Sequence, residues 1–465
     1  MASVVVVGGG IGGLATALAL GRDGHTVTVL ERDSLPVPAT PDEAFAADRR
    51  GAPQVRHSHA FLARLRNLLR DRYPDVLAGL LAAGATELSV ADLRPAGMDP
   101  APHPDDADLA LLACRRTTFE WVLRRAARAE AQVTFRDGVV GRGLVTDRGR
   151  VTGVGLADGT EVLGDSVVLA TGPRSDVVGW VAATGLGPVA EQAEETGIVY
   201  WSRFYGLRPG AATPPQEGPI AADLGYLKFA VFAGDNRTFS VTLASGADDA
   251  ALRVLARPEA FDAAAALLTP VAPWVDPDVS APITEVHAMG RLLNRRRRFV
   301  VDGRPVAPGL HAVGDASVCT NPLYGRGCTL AVVHAVLLAE VLSAHPDDVV
   351  AQAVAFDTAT RRELMPWYRA AVAQDARGRP GEGAATFDRG GLLRAVRRDP
   401  ELFRAFLRVF NLLDRPEAVL SRPDLAARVQ AALAREEAEP GPARPPLGPG
   451  RAELLDALAG GSYGS

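Results

Sequence analysis

Short continuous apolar runs alternate, over the first third of the chain, with stretches where apolar residues recur every three or four positions. Ser3 to Val7 is unbroken valine after its first residue, the pattern of a strand covered on both faces. Leu14 to Leu20 reads as an Ala/Leu helix that Gly24 ends, and His25 to Leu30 alternates with period two. Phe61, Leu62, Leu65, Leu68 and Leu69 keep helical spacing up to a break at Pro74. Leu109 to Ala113 predicts a strand, and Cys114 opens a helix running to about Ala131. Val133 to Phe135 and Asp165 to Gly172 predict two more strands, with a small antiparallel meander between them from Gly141 to Leu163. Leu310 to Val313 is a last buried strand, followed by a long apolar helix from about Thr329. Such alternation of strand and helix predicts an α/β fold with a parallel sheet.

The stretch from 195 to 290 has a different rhythm. Gly197 to Tyr205, Tyr226 to Ala233 and Thr238 to Leu243 are strand-like and rich in aromatic residues, and Arg253 to Leu268 predicts a helix lying across them. Beyond about residue 345 the pattern is helical, over Asp348 to Ala373, Gly391 to Leu413 and Arg422 to Glu437. A Pro/Gly-rich linker from Glu439 to Gly450 precedes a short last helix. Asp33 to Arg50 and Asp92 to Asp108 read as Pro- and Asp-rich loops. The expected division is 1–190 and 286–345 for the parallel-sheet domain, 191–285 for an inserted antiparallel sheet, and 346–465 for a helical region that caps the substrate side.

Composition narrows the function. At 465 residues, 47% hydrophobic and 23% charged, the chain can bury a large core. A net charge of −5 lacks the basic excess of a nucleic-acid binder. Cys114, Cys319 and Cys328 form neither a disulfide pattern nor a metal pattern, so no metal is expected. The chain passes from Met1-Ala2-Ser3 directly into a strand, and the longest apolar run noticed, Val76 to Ala85, is half of what a membrane span needs. A cytoplasmic protein without a membrane span is the expectation.

Chemistry concentrates in two glycine turns. Gly8, Gly10 and Gly13, with Ile11 and Gly12 between them, form Gly-x-Gly-x-x-Gly between strand and helix. Gly8 makes the turn, Gly10 admits a pyrophosphate to the backbone, and Gly13 lets the helix pack on the strand. Glu31, 18 positions after Gly13, ends the second strand where it can accept bonds from a ribose diol, with Arg32 beside it. About 300 residues later, Gly314-Asp315 ends a strand, and the loop Asn321 to Gly327 delivers a helix N-terminus. Its free N–H groups at Gly327, Cys328 and Thr329 suit a pyrophosphate or a ring carbonyl that gains negative charge on reduction. A second cofactor-contacting turn so late in the chain fits the reach of FAD.

Gly8 to Gly13 with Glu31, Arg116-x-x-Phe119, Ala170-Thr171-Gly172, and Gly314-Asp315 followed by Pro322-x-x-Gly325-x-Gly327 resemble FAD-dependent monooxygenases of the glutathione-reductase structural type. More narrowly, Gly51-x-Pro53-Gln54-x-Arg56-His57-x-His59, Gly197-Ile198-Val199-Tyr200 and Asn321-Pro322-x-Tyr324-Gly325 look like the squalene-epoxidase-like flavin epoxidases of actinobacterial polyether biosynthesis. The resemblance covers roughly residues 1 to 345. It implies a Rossmann-like FAD-binding domain in which Arg56 and Arg116 contact the cofactor, Val139 and Val140 lie beside the adenine, Thr171 and Gly172 border the flavin, and Asp315 holds the ribityl chain. It also implies NADPH or NADH as reductant, or a separate flavin reductase. A flavin C4a-hydroperoxide would then transfer oxygen to an alkene or electron-rich ring of a hydrophobic or polyketide-like substrate.

Two departures bear on that scheme. The acidic-Gly pair expected after Ala-Thr-Gly is replaced by Thr171-Gly172-Pro173-Arg174-Ser175, which disfavours direct reduction by nicotinamide, and Ser317 stands where many relatives have His. Arg56, His57 and His59 are the candidates for a catalytic role, the histidines alternatively serving as loop hydrogen-bonders. Arg115 could exchange roles with Arg116. Tyr200, Trp201, Arg203 and Phe229 are the expected substrate-facing residues, unless the aromatic stripe is core. The run Arg295 to Arg298 reads as a solvated hairpin edge or an anion site. The alternative to a monooxygenase is a flavin oxidase or dehydrogenase on the same scaffold.

Overall fold

The computed structural model describes residues 1–34, 37–95, 97–99, 101–216, 218–377, 391–438 and 446–460. Part of the predicted linker, 439–445, lies outside the described residues. In chain order, the elements that position the site are β1 (Ser3–Val7), α1 (Ile11–Arg22), β2 (Thr26–Glu31), α2 (Arg116–Ala129), β3 (Val133–Asp137) and β4 (Ser166–Leu169). There follow β5 (Ile198–Leu207), β6 (Lys228–Ala233), β7 (Thr238–Gly246), α3 (Pro258–Ala266), β8 (Leu293–Arg298) and β9 (Leu310–Ala312). Last come α4 (Gly327–Ala344), α5 (Val349–Glu363), α6 (Met365–Arg377) and α7 (Arg451–Gly460).

The valine runs form a parallel sheet in the order β3-β2-β1-β4-β9, so the late strand β9 joins the sheet at its edge through β4. Val4 pairs with Val27 on one side and Ser166 on the other, as a central strand buried on both faces requires. One face is covered by α1, α2 and α4, with Leu14, Leu18, Val332 and Val336 in one core. Against expectation, α4 is long and apolar enough to cross a membrane, unlike the run from 76 to 85. It is 72% buried inside the protein and packs along α1, which accounts for its composition as a core helix.

The meander appears as strands 141–147, 150–156 and 161–163. The stretch 33–50 is not all loop: Pro41–Ala46 forms a helix capped by the Thr40 side chain. The inserted sheet is built on β5 and β7, paired antiparallel over nine residue pairs from Ile198↔Gly246 to Gly206↔Thr238. Its outer face is covered by α3, and α7 packs against α3, so Leu454 joins a core with Trp201 and Phe239. The last helix therefore lies on the outer face of the inserted sheet, opposite the face that Ser202 and Thr242 share.

Arg115 fastens the two parts together. Its guanidinium and backbone N–H donate to Asp235 at 2.6–3.2 Å, and Thr118 Oγ1 donates to the same carboxylate at 2.9 Å. Both charges are buried, and without Asp235 the Arg115 cation would keep only Asp42, an exposed carboxylate at 2.6 Å. Asp235→Ala is expected to cost about 3–5 kcal/mol, read by denaturant unfolding. A loss below about 1 kcal/mol would mean the pair is solvated in solution.

Candidate functional site

The two glycine turns meet. A Cβ built on Gly12 would lie 3.8 Å from Val313 Cγ2 and 3.9 Å from Ala331 Cβ, so the start of α1 touches both the end of β9 and the first turn of α4. Gly8 takes φ +108°, with Ala170 O only 2.5 Å from where a Cβ would sit. Around Gly10, Gly172 and Gly327 a Cβ would meet nothing within 4 Å. Three glycines from distant parts of the chain thus face open space, which is where a backbone-hugging ligand belongs.

Both helix N-termini at this site are free of side-chain caps and of acidic residues in their first turns. Thr171 Oγ1 and Thr329 Oγ1 are buried without a hydrogen-bond partner among the described residues. The Asp315 carboxylate accepts no hydrogen bond there either; burial raises its pKa, with Arg116 acting in opposition. Gly314 bends at φ +57°, and its N–H donates to His334 Nδ1 at 3.3 Å. His334 Nε2 lies 2.9 Å from Thr360 Oγ1, which itself donates to Phe356 O, so the imidazole carries its proton on Nε2.

At the other end Glu31 is buried, accepting from Gly9 N at 2.8 Å and Asp33 N at 2.9 Å. Val139 N donates to Glu31 O at 2.9 Å, while Val140 is exposed. Arg32 is turned to the Arg50 carbonyl at 3.3 Å. Two further arginines belong here that sequence reading missed. Arg49 lies 3.6 Å from Glu31, 3.3 Å from Asp33 and 3.5 Å from Glu120, and Arg124 Nη2 donates to Gly9 O at 2.9 Å. Arg49 sits in a Pro/Ala/Asp-rich stretch without periodicity, and Arg124 is one of several arginines on its helix, so neither stands out in the sequence.

Arg116 donates from Nε to Glu120 at 2.8 Å and from Nη1 to His59 Nε2 at 3.0 Å. His59 Nδ1–H donates to His57 O at 2.9 Å, which fixes its tautomer. His57 Nδ1 is 3.1 Å from Ser202 Oγ, and Ser202, Thr242, Ser58 and Ser240 continue as a row of hydroxyls 2.7–2.8 Å apart. Arg56 is placed differently from the expectation: its guanidinium donates to the carbonyls of Phe45 at 2.6 Å and Ala47 at 3.1 Å, holding the 41–47 segment.

Burial and the nearby His287 lower the His57 pKa to about 4; burial lowers His311 to about 4 and His334 to about 3. An imidazole with a depressed folded pKa leaves the unfolded chain to take the proton first. Its contribution is complete above the unfolded value near 6.5 and is lost as pH falls toward 4. His57 alone should cost about 3 kcal/mol across that window, seen as a falling unfolding midpoint. A midpoint that stays flat between those pH values would show these rings are protonated at little cost.

Pairing registers decide which residues of the inserted sheet look inward. Tyr200, Ser202 and Phe204 share one face of β5; Trp201, Arg203 and Tyr205 share the other. Trp201 and Phe229 both oppose Leu243 and lie in the core under α3. Arg203 donates to Asp262 on α3 at 2.6 Å. Trp201, Arg203 and Phe229, expected at the substrate, therefore sit on the outer face, and only Tyr200 is on the inner one. The inner wall carries Tyr200, Phe204 and Phe232 beside Ser202, Thr242, Ala230, His287 and Met289, so the aromatic stripe is divided between the two faces and polar residues join it on the inner one.

Tyr200 joins a buried network missed in the sequence. Its hydroxyl donates to Asn321 Oδ1 at 2.6 Å; Asn321 Nδ2, Asn294 Nδ2 and Tyr324 OH donate to Asp375 on α6 at 2.6–2.8 Å. This network fixes the loop 321–325, with Gly325 at φ +64° over Ala60.

Residues 2–197 match the family model described as pyridine nucleotide-disulphide oxidoreductase. The chain is 27% identical over 469 residues to protein Rv3254 of Mycobacterium tuberculosis, covering 90% of this chain and 91% of that protein. Its fold is that of PqsL from Pseudomonas aeruginosa, a probable FAD-dependent monooxygenase (TM-score 0.59, 18% identity, 83% of this chain and 98% of that one). It is also that of OxyS anhydrotetracycline hydroxylase from Streptomyces rimosus (TM-score 0.59, 21% identity, 89% and 76%). The fold is shared with these flavin-dependent enzymes, and residues 2–197 carry the segment that matches the oxidoreductase family model. The site residues fit that cofactor: open glycines, uncapped helix ends and orphaned hydroxyls are groups that an FAD molecule would satisfy.

Proposed function

We propose that the protein is an FAD-dependent monooxygenase that places one oxygen of O₂ on an alkene or electron-rich ring of a hydrophobic, polyketide-like small molecule. The observation that carries this reading is the convergence of the Gly10 and Gly327 turns across the Gly12–Ala331 contact. The FAD diphosphate would lie over Gly10 and the α1 N-terminus, with Glu31 at the ribose and Asp315 at the ribityl chain. Bound FAD would supply oxygen activation at its C4a carbon. The chain's own contribution is electrostatic and steric. The amides of Gly327, Cys328 and Thr329 would stabilise negative charge at the flavin N1–C2 side, and Arg116 with neutral His59 would hold a fixed positive charge nearby. The inner face of β5 and β7 would exclude water above the ring.

Reduction is proposed to come from NADPH or NADH, or from a separate flavin reductase; Thr171-Gly172-Pro173 in place of an acidic-Gly pair favours the latter. The epoxidase-like resemblance of residues 51–59 and 321–325 supports alkenes as the substrate class. Turnover of candidate alkenes under ¹⁸O₂ is expected to give product carrying one labelled oxygen. Hydrogen peroxide as the sole oxygen product, with substrate desaturated, would replace this reading by an oxidase.

A further inference from the structure

The run Arg295 to Arg298 is divided by strand alternation. Arg295 and Arg297 point to one side, where they donate to the carbonyls of Pro173, Ser175 and Ala316, and Arg297 pairs with Glu191. They tie β8 to the loop after β4. Arg296 and Arg298 lie on the other face, and neither makes a hydrogen bond or ion pair with the described residues. The Nε of Arg298 is fully buried with no partner.

Helix α5 packs opposite that face and adds Arg361, and Arg369 on α6 is close enough to repel Arg296. The one carboxylate in the group is Asp357, already paired with Arg361 at 2.7 Å. Glu194 stands on the neighbouring strand two residues from the Gln192 that pairs with Arg296, and its own contact is Gln192. Arg296 and Arg361 line a cavity with Asp357, Val300, Phe356 and Met365, and Arg298 and Arg369 lie near Arg296. Burial, then Arg298 and Arg361, makes the Arg296 cation less favourable than in water. Arg361 and Arg369 are exposed, but Arg296 and Arg298 are half-buried without a counter-charge bonded to them, so an anion seated between them would gain more than at a fully solvated surface.

We propose that this cavity binds a phosphoryl group. A dianion answers the charge imbalance, and its oxygens match the forked donors of guanidinium groups. The cavity holds about 30 Å³, so the phosphoryl group would sit at its arginine-lined mouth and the organic part of an ester would stay outside. The cavity lies between β9 and α5, and its test does not depend on flavin.

The test is calorimetric titration of the full chain with inorganic phosphate and with phenyl phosphate at low ionic strength. Saturable binding is expected for both, at comparable affinity, because only the phosphoryl group is held. Arg296→Gln and Arg361→Gln should each weaken binding by about 10-fold or more, with thermal midpoints near the parent's. Arg253→Gln, an exposed change away from the cavity, should leave it unaltered. Phenyl phosphate binding more than about 10-fold tighter than inorganic phosphate would mean that the organic part is held, and would overturn a site built for the phosphoryl group alone. No saturable heat at about 10 mM of either probe, or binding indifferent to both cavity substitutions, would overturn the site.

Discussion

Gly10→Ala should leave the apoprotein folded and remove its flavin, whereas Gly13→Ala should break the turn itself. The two glycines sit three residues apart in one motif, but their surroundings are opposite. A Cβ on Gly13 would lie 1.8 Å from Gly8 O and 2.9 Å from Gly8 C, contacts that a rigid strand–turn–helix cannot relieve without moving α1 off β1. The cost should reach about 3 kcal/mol or more, at the upper end of overpacking. Gly10 has φ −83° and ψ −174°, which alanine adopts freely, and no protein atom within 4 Å of its Cβ. Its poorer cap and its smaller unfolded-state entropy offset, so stability should stay within about 1 kcal/mol of the parent. The methyl would instead occupy space over the α1 N-terminus, and FAD affinity should drop about 100-fold, measured by quenching of flavin fluorescence. Parent-like FAD binding by Gly10→Ala would mean that no diphosphate lies there.

That contrast shows what kind of information the sequence carries. Gly8, Gly13 and Gly314 were legible because each answers to a local backbone demand, a positive φ or a close approach, that only glycine meets. The valine runs were legible because a central parallel strand is buried on both faces. The orientation of β5 was not legible, and for a physical reason. Nearly every residue from Ile198 to Tyr205 is buried, so the strand has no polar side to mark. The direction is set by distant partners, α3 against Trp201 and Arg203, and residues 57–59 against Ser202. Arg56 and Arg116 look alike as isolated arginines. Only the fold sends one to the 41–47 carbonyls and the other to His59 and Glu120.

Asp375 is the extreme case, a residue on a helix whose sequence carries no site signature, and its removal should have the second large effect. Its two carboxylate oxygens accept from Tyr324 OH, Asn321 Nδ2 and Asn294 Nδ2, all buried. Asp375→Ala would remove the acceptor that three buried donors share, at about 1–3 kcal/mol for each bond lost, so a loss of about 3 kcal/mol is expected. Asp375→Asn is the sharper probe. An amide oxygen in place of Oδ1 could still accept from Tyr324 and Asn321, but the new NH₂ would face the Asn294 NH₂. Neither asparagine can turn to relieve this: Asn294 Oδ1 accepts Asn321 N at 2.8 Å, and Asn321 Oδ1 accepts Leu323 N at 3.0 Å and the Tyr200 hydroxyl. The asparagine variant should therefore be destabilised less than alanine but measurably, by about 1–2 kcal/mol. Because this network fixes the loop leading into α4, its loss should also loosen the flavin-facing N-terminus. In both variants flavin emission is expected to rise as the ring gains solvent, ahead of the global unfolding transition. If Asp375→Ala melts like the parent and its flavin spectrum is unchanged, the loop is held by its own proline and glycine geometry, and the C-terminal helices are not part of the site.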